Sequence, residues 1–403
     1  MRALGNKSAH PAGLIGVFFV CTLLCAAFAS ALGFRVNVTV ASLVPAVTVL
    51  LLSRPLRNAA WSGLAGSDWA LAVFVLSAAA AMAMSLPNVG ALPLDYMLHA
   101  AALLLLCPLA YVLGRVLAAN ATPRGLENLF RLALILTICF VALTFALPDL
   151  VSTEESVRGS YYQYSGDCLA VTALIHLLMR QKSSPRWMLL LVLPVLVLIG
   201  SRASVASYGI ALLFSQMLPF VAVLAVAAVG VWLLLEDTIL SLVPELFDAT
   251  RVVTTLLGAA IEGREDASLL ERQQFQAMAF ESIKNHPLFG HFGYDYYVNG
   301  FVGGFSHSAL DLWAQYGLMT FLAFIVMLVL TPILGLIRVH TRRGWSRTPA
   351  STWALFVFLL LEFTFFRHPE SVVLFFGAGA LVGLSRRAAA PVMQPSSRWR
   401  RRV

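Results

Sequence analysis

Residues Glu281–Leu318 read ESIKNHPLFGHFGYDYYVNGFVGGFSHSALDLWAQYGL, and within them the chain passes from a polar extramembrane loop into a long apolar run. The stretch holds His286, His291 and His307, with Gly290, Gly293, Gly300, Gly303 and Gly304 between and around them. His307 falls close to the point where water gives way to hydrocarbon. The apolar run that follows extends to about residue 335, long enough for a helix to cross a hydrocarbon core of about 30 Å.

Runs of the same kind recur outward from this stretch, between Ala12 and Leu384. Hydrophobic residues make up 59% of the chain and charged residues 12%, about half the charged share of an ordinary soluble domain. Membrane strands would need shorter, alternating segments. The composition therefore predicts an all-α polytopic membrane protein. Spans are expected near residues 12–33, 36–53, 69–88, 94–117, 128–148, 165–181, 186–200, 203–217, 218–236, 308–335, 352–366 and 371–384, about 12 transmembrane helices in all. The first run follows Arg2 and Lys7 and is read as a span, because no small-residue cleavage site leads from it into a soluble domain. The weakest division is within 203–236, where Pro219 is the only punctuation. All five cysteines, Cys21, Cys25, Cys107, Cys139 and Cys168, fall within apolar runs, so no disulfide framework is implied.

The distribution of charge orients these spans, because Lys and Arg are retained on the cytoplasmic side of short loops. With the amino terminus inside, all but eight of the 28 basic residues are cytoplasmic, and among the acids only Asp68 and Glu127 lie with them. Both termini are then cytoplasmic. The net charge of +8 thus reports topology, and no nucleic-acid partner is expected. The eight basic residues left on the outer side are Arg35, Arg158, Arg202, Arg251, Arg264, Arg272, Lys284 and Arg367. Snorkelling and long-loop tolerance account for Arg35, Arg251 and Lys284, whereas Arg202, Arg264 and Arg367 are the better candidates for function.

Three outer segments carry the remaining interest. Asp149–Asp167 contains Glu154, Glu155, Arg158, Tyr161, Tyr162 and Tyr164, a composition that suits a sugar site and equally an interfacial aromatic belt. Gly200–Ser204, GSRAS, is a short turn between two spans. Residues 237–306 form a large loop, and loops of that length usually carry function or disorder. Within it Asp266–Asn285 reads as a helix with Leu269, Phe275, Met278, Phe280 and Ile283 on its buried side, stopped by Pro287. The chain accordingly divides into spans one to nine over 1–236, the loop over 237–306, spans ten to twelve over 307–384, and a basic cytoplasmic tail over 385–403.

The chain has no HExxH, GxSxG or P-loop, and no aspartates two apart of the kind that hold a metal against a nucleotide sugar. The residues point to chemistry without a metal or cofactor. An ionisable group as deep as His307 is by default a functional candidate, with a satisfied structural histidine as the alternative. Asp311, at i+4, reaches the same face if the helix has begun by His307, and either orients the ring or pairs locally. Arg202 and Arg264 offer planar forks suited to phosphate oxygens, on the same side of the membrane as His307. Cations beside an imidazole favour its neutral, basic form, and the same arginines can stabilise a diphosphate leaving group.

These residues and their order resemble the O-antigen ligase family, whose members share a carboxy-terminal region with O-antigen and exopolysaccharide polymerases. The likeness rests on Gly200, Ser201 and Arg202 at the start of a span, Gly263 and Arg264 in the large loop, and HPLFG at His286–Gly290. His307 then opens the next span, with Ser308 where the family has asparagine, followed by Leu310 and by Tyr316, Gly317 and Leu318. The resemblance implies an inverting glycosyltransferase of the bacterial inner membrane, acting on its periplasmic face with 237–306 as a periplasmic loop. Its donor would be a glycan on undecaprenyl diphosphate and its acceptor lipid A-core oligosaccharide. It would surround itself with membrane lipids and use no cofactor. Arg202 and Arg264 would hold the diphosphate and His307 would activate the acceptor hydroxyl. Asp311, Arg158, Arg272 and Arg367 are possible supporting residues. A polymerase shares the same region, and a lipid-linked glycan transporter would use the same arginines.

Overall fold

The structure is a computed structural model, and it describes residues 2–34, 36–61, 66–89, 92, 94–146, 155–179, 187–214, 267–299, 309–343, 350–366 and 371–389. Every regular element among them is helical. The amino-terminal half comprises α1 (Arg2–Ala31), α2 (Val38–Leu52), α3 (Arg54–Trp61), α4 (Gly66–Val89), α5 (Leu94–Ala101), α6 (Cys107–Asn120), α7 (Pro123–Ala146) and α8 (Glu155–Met179). After these come α9 (Trp187–Leu190), α10 (Val192–Ile199), α11 (Arg202–Phe214), α12 (Ala267–Asn285), α13 (Tyr294–Asn299) and α14 (Leu310–Ile325). The last elements are α15 (Thr331–Arg343), α16 (Ala350–Leu361) and α17 (Val372–Ala389). Five-residue π-helical turns join α5 to α6, join α14 to α15, and follow α16 at Glu362–Phe366.

Five stretches are long and apolar enough to cross a membrane: His10–Ala31, Asp68–Ser85, Tyr96–Asn120, Pro123–Thr144 and Leu310–Ile337. A sixth is obtained if α2 and α3, bent by 97° at Ser53, count as one span. The bend has a local cause. Asn37 caps α2 by accepting the Val40 N–H at 3.0 Å, Ser53 ends it in an extended conformation, and α3 restarts at Arg54 with Pro55 in its first turn, where a missing N–H costs no helical hydrogen bond. The expected spans near 186–200, 203–217 and 352–366 correspond to the shorter apolar helices Met188–Ile199, Ala203–Leu213 and Trp353–Thr364. Over the described residues these reach about 18 Å or less at 1.5 Å per residue. The expected span at 218–236 lies outside the described residues.

Small residues set the centre of the bundle. α6 and α17 cross with their backbones in contact: a Cβ on Gly114 would overlap the Phe376 carbonyl, one on Gly379 the Tyr111 carbonyl, and one on Gly383 would come within 2.5 Å of the Arg115 carbonyl. Gly379 and Gly383 are the small-xxx-small spacing by which apolar helices approach closely where burial from water cannot drive them together. α1 packs against α2, α6, α7 and α8. Phe19 stacks on Phe376 with centroids 4.3 Å apart, and Phe28 on Phe140 at 4.5 Å.

Two polar networks cap this core. At one, Asp68 of α4 receives Arg115 of α6 and, at 3.2 Å, Arg386 of α17. Arg115 also donates to the Ala60 carbonyl at 2.6 Å, and Arg387 to that of Ala121 at 2.6 Å. At the other, Tyr96 donates to Gln315 Oε1 at 2.7 Å, and Gln315 Nε2 donates to Asp311 at 2.8 Å. Tyr96 and Arg115 lie on one continuous span and are separated by about 28 Å along it, close to the thickness of a hydrocarbon core. The charge grouping inferred from sequence put Asp68, Arg115, Arg386 and Arg387 on one side of the membrane, and the fold collects them at one end of the bundle.

Candidate functional site

At the opposite end of the bundle from Asp68, the segment 282–291 is joined to a break in α14. Gly317 has φ 81° and ψ 174°, outside the helical region. The break frees the Ala314 carbonyl and the Leu318 N–H from each other, and a freed backbone group within an apolar span must find another partner. Both do. The Ala314 carbonyl accepts the His291 N–H at 2.8 Å and the buried Ser282 hydroxyl at 3.2 Å. The Leu318 N–H points at the Pro287 and Leu288 carbonyls, each at 3.2 Å, and Trp313 Nε1 donates to the Pro287 carbonyl at 2.8 Å.

Glycine makes this joint possible from both sides. A Cβ on Gly290, whose φ is +67°, would stand 2.5 Å from the Gln315 carbonyl carbon and 2.5 Å from the Gly317 nitrogen. One on Gly317 would overlap the Leu288 carbonyl and stand 2.6 Å from the Phe289 carbonyl carbon. The segments HPLFG and Tyr316–Leu318, far apart in sequence, are thus one piece of structure. Phe292, fully buried, sits between Tyr96 at 5.3 Å and Tyr316 at 5.6 Å, which ties the joint to the Tyr96–Gln315–Asp311 network.

A second constellation positions the turn that carries Arg202. Gly200, at φ 84°, ends α10 in the left-handed conformation, and Ser201 leads into α11. Ser201 and Ser204 share a hydrogen bond of 2.7 Å, and Ser204 donates to Asp167 Oδ1 at 2.6 Å. All three side chains are buried. Gly166 lets α8 approach: a Cβ there would come 2.7 Å from Ser201. α11 packs along α16 and against the π-helical turn Glu362–Phe366, and the carbonyl of Phe363 in that turn accepts the Ala309 N–H at 2.9 Å.

The expected site residues distribute as follows. Arg202 is the first residue of α11, Arg158 lies in the first turn of α8, and Arg272 lies in α12; their backbones are described and their side chains are not. His307, Arg264 and Arg367 lie outside the described residues, the last just beyond the Glu362–Phe366 turn. Asp311 is buried in the first turn of α14 and accepts from Gln315. The fold therefore gives the α11 helix that Arg202 opens and the segment that follows His307 a common neighbour in the Glu362–Phe366 turn.

Asp167, Glu362, Tyr96 and Gln315 were not singled out from the sequence. The first two carried a readable signal, since a carboxylate within an apolar run is rarely without a role. Glu362 is fully buried. Tyr96 and Gln315 carried none, because their partnership spans 219 positions.

The histidines His286 and His291 meet edge to face with ring centroids 4.7 Å apart. Partial burial and the neighbouring His286 both hold the His291 imidazole below its usual pKa. Tyr294, 5.3 Å from His291, is raised by burial and by Glu281. Among the described residues no three His, Cys, Asp or Glu side chains are grouped closely enough to share a metal ion. Compared with known proteins, the chain matches no family model and no curated sequence.

Proposed function

We propose that the chain is an inverting, metal-independent glycosyltransferase of the O-antigen ligase type, built on about twelve spans in the bacterial inner membrane with both termini cytoplasmic. It moves a glycan from undecaprenyl diphosphate to lipid A-core oligosaccharide on the periplasmic face. In the reaction the acceptor hydroxyl oxygen bonds to the anomeric carbon from the side opposite the diphosphate. The bond from that carbon to the diphosphate oxygen breaks, and undecaprenyl diphosphate leaves with the electron pair. His307 takes the proton from the hydroxyl, while Arg202 and Arg264 match the charge that gathers on the leaving diphosphate. Asp311, Arg158, Arg272 and Arg367 are supporting candidates.

One observation carries this reading furthest. α11, opened by Arg202, packs against the Glu362–Phe366 turn, and Phe363 in that turn holds the Ala309 N–H two positions after His307. A phosphate-binding cation and a proton acceptor need such a common neighbour if they are to serve one reacting centre. The joining of HPLFG to Tyr316–Leu318 adds to it, because these are two of the segments that carry the family resemblance.

The test uses the purified protein with undecaprenyl-diphosphate glycan and lipid A-core. Ligated product is expected; lengthened lipid-linked glycan would make the protein a polymerase, and movement of the lipid without either product would make it a transporter. His307→Ala is expected to abolish transfer at unchanged expression. Arg202→Lys is expected to lower it strongly, because a point charge cannot reproduce bidentate phosphate recognition.

A further inference from the structure

The span that begins at Leu310 is longer than a membrane requires. From Leu310 to Ile337 it has 28 residues, about 42 Å at 1.5 Å per residue, against a hydrocarbon core of about 30 Å. Arg338 follows directly, and a basic residue at the end of an apolar run is favoured at headgroup level. About 20 residues counted back from it reach Leu318. That is the position at which the helix breaks. Before the break, α14 carries the buried polar residues Asp311 and Gln315. After it, Met319, Leu322, Val326 and Leu330 recur every three or four positions on an exposed face, the arrangement of a helix stripe turned to lipid.

The segment held against the break is itself apolar and uncovered. Leu288 is 61% exposed and Phe289 57%, and their backbone is the part that touches Gly317 and Leu318. The exposed patch is therefore continuous in depth with Met319, which is 64% exposed. Beside it Trp313 donates its indole N–H to the Pro287 carbonyl at 2.8 Å and stacks on Phe321 at 5.3 Å. A tryptophan with its polar atom satisfied and its ring on an apolar neighbour is the side chain favoured where water meets lipid. The backbone also suits this position: Pro287 has no N–H to satisfy, and its carbonyl has two donors.

We propose that Pro287–Phe289 is a lipid-facing wedge, with Leu288 and Phe289 inserted among the acyl chains of the leaflet at the Leu310 end, at the depth of the Gly317 break. The wedge and the break then form one device: the loop closes the backbone of the broken span while anchoring it at the hydrocarbon boundary. This rests on the span reading of Leu310–Ile337 and is independent of the reaction.

Photocrosslinking of the full chain in vesicles of phosphatidylethanolamine and phosphatidylglycerol tests it. The photoreactive p-benzoylphenylalanine replaces Phe289, and in separate preparations Leu288, Met319 or Lys284, each checked for the parent's thermal unfolding midpoint. Mass spectrometry reads phospholipid adducts. Positions 288 and 289 are expected to give adducts in yields similar to position 319 and at least fivefold above position 284. Yields at both 288 and 289 no higher than at 284, or adducts there to another protein or a second copy of the chain in place of lipid, would overturn the proposal. Should the probe at 289 disturb folding, position 288 decides alone.

Discussion

Gly317 adopts a backbone conformation that is essentially reserved for glycine, and other residues pay about 1–3 kcal/mol to enter it. It also lies against the Leu288 carbonyl, so an added Cβ must displace backbone and not a flexible side chain. Gly317→Ala should therefore lower stability by at least that amount, measured as a reduced thermal unfolding midpoint in detergent. Gly209 sits in α11, where a Cβ would meet nothing within 4 Å, and Gly209→Ala should leave the midpoint unchanged or raise it slightly through helix propensity. The contrast separates a glycine required by a joint from one that is merely tolerated. Sequence placed Gly317 among the residues that carry the family resemblance but gave no sign of the break there, since both are single glycines in helical runs.

At the scale of elements, α12 and the loop after it are held to α14 by the His291 N–H, the Ser282 hydroxyl and the two carbonyls facing Leu318. His291 sits partly buried beside His286, and both circumstances lower its pKa below the ordinary 6.5. Between that lowered value and 6.5 the released loop binds more protons than the docked one. Docking free energy is therefore fully present above about pH 6.5 and is lost as pH falls toward the lowered value. The unfolding midpoint should drop on acidification from about pH 7.5 to about pH 5.5, and His291→Gln should remove part of that drop. An equal drop in the variant would assign the effect to other groups. The helical reading of Asp266–Asn285 agrees with the described Ala267–Asn285, because periodic apolar positions and a following proline are local signals, but its expected buried side fails at Phe280, which is 53% exposed, whereas Ala279 and Ser282 are buried. The break in α14 was not legible, because its cause is a segment about 30 positions earlier.

Across the whole molecule, two polar networks about 28 Å apart fix the bundle between two boundaries. Asp68 is nearly buried between Arg115 and Arg386, and removing one partner of such a group leaves the others uncompensated at a cost of about 3–5 kcal/mol. The Arg131–Glu127 pair at 2.5 Å is an i,i+4 contact with Arg131 about half exposed, a kind worth about 0.3–0.5 kcal/mol. Asp68→Ala should accordingly destabilise the protein several times more than Glu127→Ala in chemical unfolding. Similar losses would mean that the Asp68 network is solvated in the membrane.

The sequence by itself determined the class: an all-α chain with apolar helices able to cross a membrane, and a charge distribution that groups Asp68 with Arg115, Arg386 and Arg387. These follow from composition and from the period of the helix, which are local properties. It also singled out Arg202, Arg264, His307 and Asp311 by residue type and order. Only the tertiary structure decided that Asp311 accepts from Gln315 while Gln315 accepts from Tyr96, that Asp167 anchors the turn bearing Arg202, and that HPLFG completes the broken helix at Gly317. The Asp311–Gln315 contact is an i,i+4 neighbour within α14, whereas the Tyr96, Asp167 and HPLFG contacts join groups that sequence order alone does not pair. Which backbone groups meet across the bundle is set by how helices pack, and packing leaves no periodic trace in the chain.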